Sequence, residues 1–205
     1  MTPRRPPAAL GLRAHSGWAA LVAVGGGPTS PQVLDRRRIE MADDPAAKQP
    51  YHAAEELPLA KARALLARFL REAQERAAAG VGAALADLRA DGYDVVGAIV
   101  LTAAGRPMPG LESVLASHAL IHTADGEHFR DALAFAGRQH RLPVARIREK
   151  DLVAQAAKTL GRSAPVLQAT VTAWGKPLGP PWTQDQKLSA LAAWLGLVPA
   201  AASYS

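Results

Sequence analysis

The chain contains no cysteine, which excludes a disulfide framework, a thiolate nucleophile and a thiolate-ligated zinc. Phe, Trp and Tyr make up only 5% of it, too little for an extended base-stacking platform of the kind that binds single-stranded nucleic acid. No apolar run approaches the roughly 20 residues of a membrane-spanning helix. The short run at 19–24 follows Arg4 and Arg5 as a secretory leader would, but Pro6, Pro7, Arg13 and His15 interrupt the approach to it. The expectation is therefore a cytoplasmic chain without membrane contact. Acidic residues are the minority charge: 18 Asp and Glu against 24 Lys and Arg give a formal +6, a balance that suits DNA or RNA as partner.

What is present points to a single folded unit. A chain of 205 residues with 49% hydrophobic content can bury a full core. The expected organisation is one domain over 9–197, with disordered tails at 1–8 and 198–205. The most informative stretch is 111–130, which carries three of the six histidines. On one continuous helix Leu111, Leu115, His118 and His122 form a single stripe, so the two imidazoles are expected to share the apolar face.

In chain order, residues 11–24 have the β-branched and aromatic content of a strand, closed by Gly25, Gly26 and Gly27. Residues 32–41 read as its antiparallel partner, completing an N-terminal hairpin. Arg36, Arg37 and Arg38 at its middle cannot all share one face, which fits an edge strand carrying either protective charge or a phosphate patch. A helical period runs from about 59 to 79, weakens at Gly80 and Gly82, and continues to a turn at Asp91 and Gly92. Residues 93–101 are almost wholly apolar, as in a central strand covered on both faces. The loop 102–110 then leads into the histidine-bearing helix, expected to pause at Ala124, Asp125 and Gly126. A short strand at 142–148 sets Arg146 and Arg148 on one face, and a helix over 151–160 stops at Gly161. A Ser-, Pro- and Gly-rich connection follows. Thr183 and Gln186 form a capping box for the last helix, which ends at Gly196.

This order of elements resembles the ribonuclease H-like superfamily, nearest to its Holliday-junction resolvase branch. GLRAHSG with WAALVAV resembles the first strand, QVLDRRRIEM its partner, SHALIHTADGEHFRDALAFAGRQHRLPVARIREKDL the helix-strand-helix passage, and DQKLSALAAWL the terminal helix. The resemblance implies an α/β fold: a ribonuclease H-like mixed sheet with an N-terminal antiparallel hairpin and flanking helices. It also implies a nucleic-acid-binding protein, a hydrolase of phosphodiester bonds if an enzyme, with a homodimer as a candidate assembly. Its members hold two divalent metals on four acidic residues. Carried onto this chain, those positions fall on Arg13, near Leu101 or Thr102, on Asp185 and on Leu188, so Asp185 alone keeps a carboxylate. The actin-like ATPases share the core and place a phosphate-binding turn where His15, Ser16 and Gly17 stand.

The candidate polar centre comprises Arg13, His15, His118, His122 and Asp185. Arg13 lies in a buried strand and needs a partner, for which Asp185 is the candidate. His118 and His122 have the i, i+4 spacing of two metal ligands, with His15, Glu112, Asp125, Glu127 or Asp185 as the third; the set with Asp185 is the leading candidate for a divalent metal: magnesium, manganese or zinc. The alternative is a pair of hydrogen-bonded helix histidines. Candidate nucleic-acid contacts are Arg36, Arg37, Arg38, Arg146, Arg148 and Lys187. Trp174, Lys176 and Trp182 form either a stacking surface or a pin that fastens their loop, and His52, Glu55 and Glu56 have the ordinary character of a solvated face. A small-molecule or phosphate-ester enzyme using the same His/Arg/Asp cleft, and a non-catalytic scaffold, are the rival classes.

Overall fold

A computed structural model of the chain describes residues 5–103 and 107–198. One mixed sheet runs in the order β3-β2-β1-β4-β5. Its strands are β1 Pro7–His15, β2 Trp18–Gly25, β3 Gln32–Glu40, β4 Asp94–Thr102 and β5 Val144–Arg148. The first three strands pair antiparallel, while β1, β4 and β5 are parallel. The helices are α1 Pro45–Lys48, α2 Pro50–Ala54, α3 Leu59–Ala90, α4 Leu111–Leu115 and α5 His118–Gln139. They continue with α6 Glu149–Leu160, α7 Ala164–Ala173, α8 Gly175–Leu178 and α9 Gln184–Gly196.

The alternation of β1 builds both sides of the core. Leu10 and Leu12 point to one face, against Phe69 of α3 and Phe129 and Leu133 of α5. Ala9 points to the other, into a cluster with Leu191 and Trp194 of α9 and Leu152 of α6. Gly11 shares that second face, and a Cβ there would lie 1.8 Å from the Ser189 carbonyl oxygen. The absent side chain is what lets α9 lie flush on the sheet centre.

Several expectations are corrected. Residues 11–24 are two strands, because the chain folds back at Ser16 and Gly17. Gly17 takes φ +82, and its carbonyl accepts from the N–H groups of Met41 at 2.7 Å and Ala42 at 2.9 Å. Pro7 and Ala8, expected in the tail, belong to β1: Pro7 registers with Asp94, and Ala8 is wholly buried. The remaining residues 1–4 and 199–205 of the expected tails lie outside the described residues, as do 104–106 of the loop after β4. The long helix does not weaken at its glycines. Gly80 packs on Ile39 and Gly82 on the His140 ring, so both are sites of close approach within an unbroken α3.

The histidine helix also breaks elsewhere. Chain 124–126 is continuous helix, since the Asp125 carboxylate turns inward to accept from the Tyr51 N–H at 2.7 Å, and the Arg130 guanidinium covers Gly126. The interruption falls between Leu115 and His118. Leu111 and Leu115 pack beside Ala54, Ala62 and Leu66, whereas His118 and His122 are exposed, so the single apolar stripe does not form. The Pro-rich connection contains α7 and α8. Pro165 stands in the first turn of α7, where proline is compatible with a helix start.

The thirteen-residue α9 opens on the expected capping box of Thr183 and Gln186. The path of α5 positions the rest. A short turn joins its C-terminus to the start of β5, so it runs antiparallel to the parallel strands, and its N-terminus reaches the end of the sheet where β1 and β4 finish. Two groups of polar side chains therefore meet that one end, from α9 on one face and from α5 on the other.

Candidate functional site

On the α9 face the centre is Arg13, at the end of the middle strand. Its Nε and Nη2 donate to Glu149 at the start of α6, at 2.9 and 3.1 Å, and its Nη1 donates to Asp185 of α9. Arg13 and Asp185 side chains are each 21% exposed. Burial opposes the guanidinium charge, but the hydrogen bonds and charges of Glu149 and Asp185 outweigh it and raise the Arg13 pKa above its ordinary value. His15 Nε2 lies 2.8 Å from Arg13 Nη1 and 2.9 Å from Asp185 Oδ1. One ring nitrogen can accept from the arginine or donate to the carboxylate, so the tautomer of His15 selects between them. The ring stacks on Trp18 at 4.3 Å, and Arg38 also covers Trp18, with its guanidinium 3.8 Å from the ring centroid.

This arrangement does not fit the pair of divalent ions that the fold's nuclease members hold. Both nearby carboxylates are engaged by a guanidinium, whose fixed charge repels a cation brought to this strand end. The expected pairing of Arg13 with Asp185 is present. Glu149 was not anticipated. Its signal in the sequence is only its position just after the last parallel strand.

On the α5 face His118 and His122 meet a third ring, His52 of α2. Their Nε2 atoms are 3.1 Å apart, and the His52 ring centroid lies 5.4 and 4.5 Å from those of His118 and His122. His52 Nδ1 is 2.5 Å from Asp125 Oδ2, so it carries the proton that the carboxylate accepts. Asp185 does not join this group. It belongs to the opposite face with Arg13 and His15, which corrects the expected ligand set. His52, read as part of a solvated face, is the residue that completes the cluster.

The arginines singled out for nucleic acid have internal partners. Arg36 donates to the carbonyls of Leu178, Gly179, Pro180 and Pro181 at 2.8, 2.7, 3.1 and 2.5 Å, fastening the α8–α9 connection to the edge strand. Arg37 points to the opposite face and pairs with Asp35 and Asp87, while Arg38 pairs with Glu40. Arg146 bridges Glu127 and Asp131, and Arg148 pairs with Asp151. Lys187 is half-buried in the first turn of α9. Trp182 donates its indole N–H to the Val171 carbonyl at 2.8 Å, and Trp174 packs on Trp194 at 5.3 Å, so both act as pins for the connection.

Beside the histidine cluster, a cavity of about 190 Å³ is lined by Tyr51, Met108, Leu111, Val114, His128 and Asp131. That is below the usual range of small-molecule sites, about 300 to 1,000 Å³. His128 is buried, with its Nε2 unpartnered among the described residues, and burial lowers its pKa despite a backbone hydrogen bond at Phe69 and the charges of Asp125 and Asp131. Burial, reinforced by Asp131 and Asp125, raises the pKa of Tyr51. Among the described residues no helix is long and apolar enough to cross a membrane.

No protein-family model and no curated protein matches the sequence. Among solved structures, the chain is similar to Thermus thermophilus RuvC in complex with a Holliday junction substrate. The identity is 12% and the TM-score 0.53, over 92% of this chain and 90% of that one. A second structure of Thermus thermophilus RuvC gives 12% identity and a TM-score of 0.52, over 92% and 91%. At this identity the likeness is one of fold, and with the strand order and the two helical layers it establishes that the chain has the ribonuclease H-like fold found in RuvC.

Proposed function

We propose that this protein binds nucleic acid on the α9 face of a ribonuclease H-like scaffold, and that it does not cleave phosphodiester bonds there by two-metal chemistry. The observation that carries the reading is Arg13, held by Asp185 and Glu149 at the end of the central strand. It neutralises the carboxylates that would otherwise collect metal, and the helices that cover its face of the sheet carry an excess of basic residues. Residues 149–198 hold five Lys or Arg against three Asp or Glu. All three acids are paired with Arg13 or Arg148, leaving Lys150, Lys158, Arg162 and Lys176 exposed. A surface of that kind matches the phosphate backbone, and the similar RuvC complex carries a Holliday junction substrate. A cytoplasmic location belongs to the same reading.

The test is fluorescence anisotropy with a labelled four-way junction and a labelled single strand, from about 50 to about 200 mM salt, a range over which phosphate contacts weaken steeply. Binding should fall linearly on logarithmic axes, and Lys150→Glu with Lys158→Glu and Arg162→Glu should lower both affinity and slope. Absence of binding at low salt, or binding indifferent to salt, removes the proposal. Incubation with magnesium or manganese should leave the junction intact. Cleavage that Asp185→Asn abolishes would restore the metal-dependent nuclease.

A further inference from the structure

We propose that His52, His118 and His122 form a mononuclear site for a zinc-class divalent ion, with Asp125 as the residue that orients His52. This rests on the α5 face alone and is independent of the nucleic-acid reading. The three rings come from two elements that are distant in sequence, and one ligand atom from each lies within 4.8 Å of the others. A tetrahedral zinc with bonds of about 2.0 to 2.1 Å sets two of its ligand nitrogens about 3.3 Å apart. The Nε2 atoms of His118 and His122 stand at 3.1 Å. An i, i+4 pair on a helix supplies two such ligands without backbone adjustment.

His52 is what turns that pair into a built site. Its Nδ1 proton is committed to Asp125, which leaves the Nε2 lone pair as its free donor. Asp125 is itself fixed, because its side chain is 8% exposed and its other oxygen accepts from the Tyr51 N–H at 2.7 Å. Carboxylate to imidazole to metal is the arrangement that sets the tautomer and raises the basicity of metal-ligating histidines. Three neutral nitrogen donors favour zinc, cobalt, nickel or copper over magnesium and calcium, which take oxygen ligands. His118 and His122 are exposed. The fourth coordination position therefore opens on solvent, where water or an anionic oxygen can occupy it.

The test is calorimetric titration of the chelator-stripped full chain with zinc, paired with the visible absorption of added cobalt. The expected result is one equivalent of zinc, cobalt bands of a four-coordinate nitrogen site, and no response to magnesium at the same concentration. His122→Ala, at an exposed helix position, keeps the fold by circular dichroism and should abolish the cobalt bands. Asp125→Asn should keep the stoichiometry and lose affinity by about 10- to 100-fold. His15→Ala, on the opposite face, should change nothing. The proposal is overturned if no saturable zinc binding occurs, or if His52→Ala binds zinc as tightly as the unmodified chain, the mark of an adventitious helix pair.

Discussion

Two groups of polar side chains occupy the same end of the sheet and have opposite electrostatic character. On the α9 face Arg13 is surrounded by Asp185, Glu149 and His15, so positive and negative groups satisfy one another and a further cation meets a fixed guanidinium. On the α5 face His52, His118 and His122 converge, with His52 held by the Asp125 carboxylate and no arginine or lysine in the ion pairs of that group among the described residues. The difference teaches that the fold's strand ends position chemistry without specifying it. At the end of the central strand Arg13 engages both Asp185 and Glu149, whereas no such cation is paired with Asp125 among the described residues.

Removing the contact that seats α9 should break the comparison most severely. Gly11→Ala places a methyl group against the Ser189 carbonyl and the Ala193 N–H. Overpacking of this kind costs about 1 to 3 kcal/mol and more where backbone must move, so a loss of about 3 kcal/mol or more in urea unfolding is expected. Because α5 packs on the other side, zinc binding by the molecules that remain folded should persist. Retention of full stability would show that α9 does not lie as close to β1 as described.

Asp185→Asn is the next largest. Removing one partner of a buried ion pair costs about 3 to 5 kcal/mol, but Arg13 keeps Glu149 and the pair is 21% exposed. A loss of about 2 kcal/mol is therefore expected. Glu149→Gln should cost less, because Glu149 is 38% exposed and the closest acid remains. Equal losses for the two variants would mean that burial does not distinguish the carboxylates.

The smallest effect concerns pH. Burial holds the His128 pKa below its ordinary value. The unfolded chain takes up the proton near about pH 6.5, whereas the folded chain resists it until lower pH. The unfolded state thus holds more protons in that window, and stability rises with pH through it. The contribution is complete above about pH 6.5 and is lost as the pH falls toward the folded value. Urea midpoints should therefore drop between about pH 7.5 and about pH 5.5, and His128→Leu should reduce the drop. An identical drop in both chains would show that His128 is not the group responsible.

Element order was largely legible because it follows from hydrophobic periodicity and terminal signals. The apolar run of β4 and the Thr183 capping box are local features, and both stand as expected. The reversal at Ser16 and Gly17 was obscured because strand-forming residues continue on both sides of a two-residue turn. The helix through Asp125 and Gly126 was obscured because Asp125 is stabilised by Tyr51 and His52, contacts that no local window contains. The pairing of Arg13 with Asp185 was legible from a physical requirement, that a charge in a central strand needs a partner. His52 and Glu149 were not, since nothing in their own surroundings points across 73 residues to Asp125 or 136 residues to Arg13.

The most direct test of the charge replacement on the α9 face is a manganese titration of the unmodified chain and of Arg13→Asp, followed by electron paramagnetic resonance of the free ion. In the unmodified chain the ion pair of Arg13 with Asp185 and Glu149 should prevent binding at this face. In Arg13→Asp three carboxylates converge on one point, so a manganese site should appear that Asp185→Asn removes again. Manganese held by the unmodified chain and released by Asp185→Asn would contradict the account.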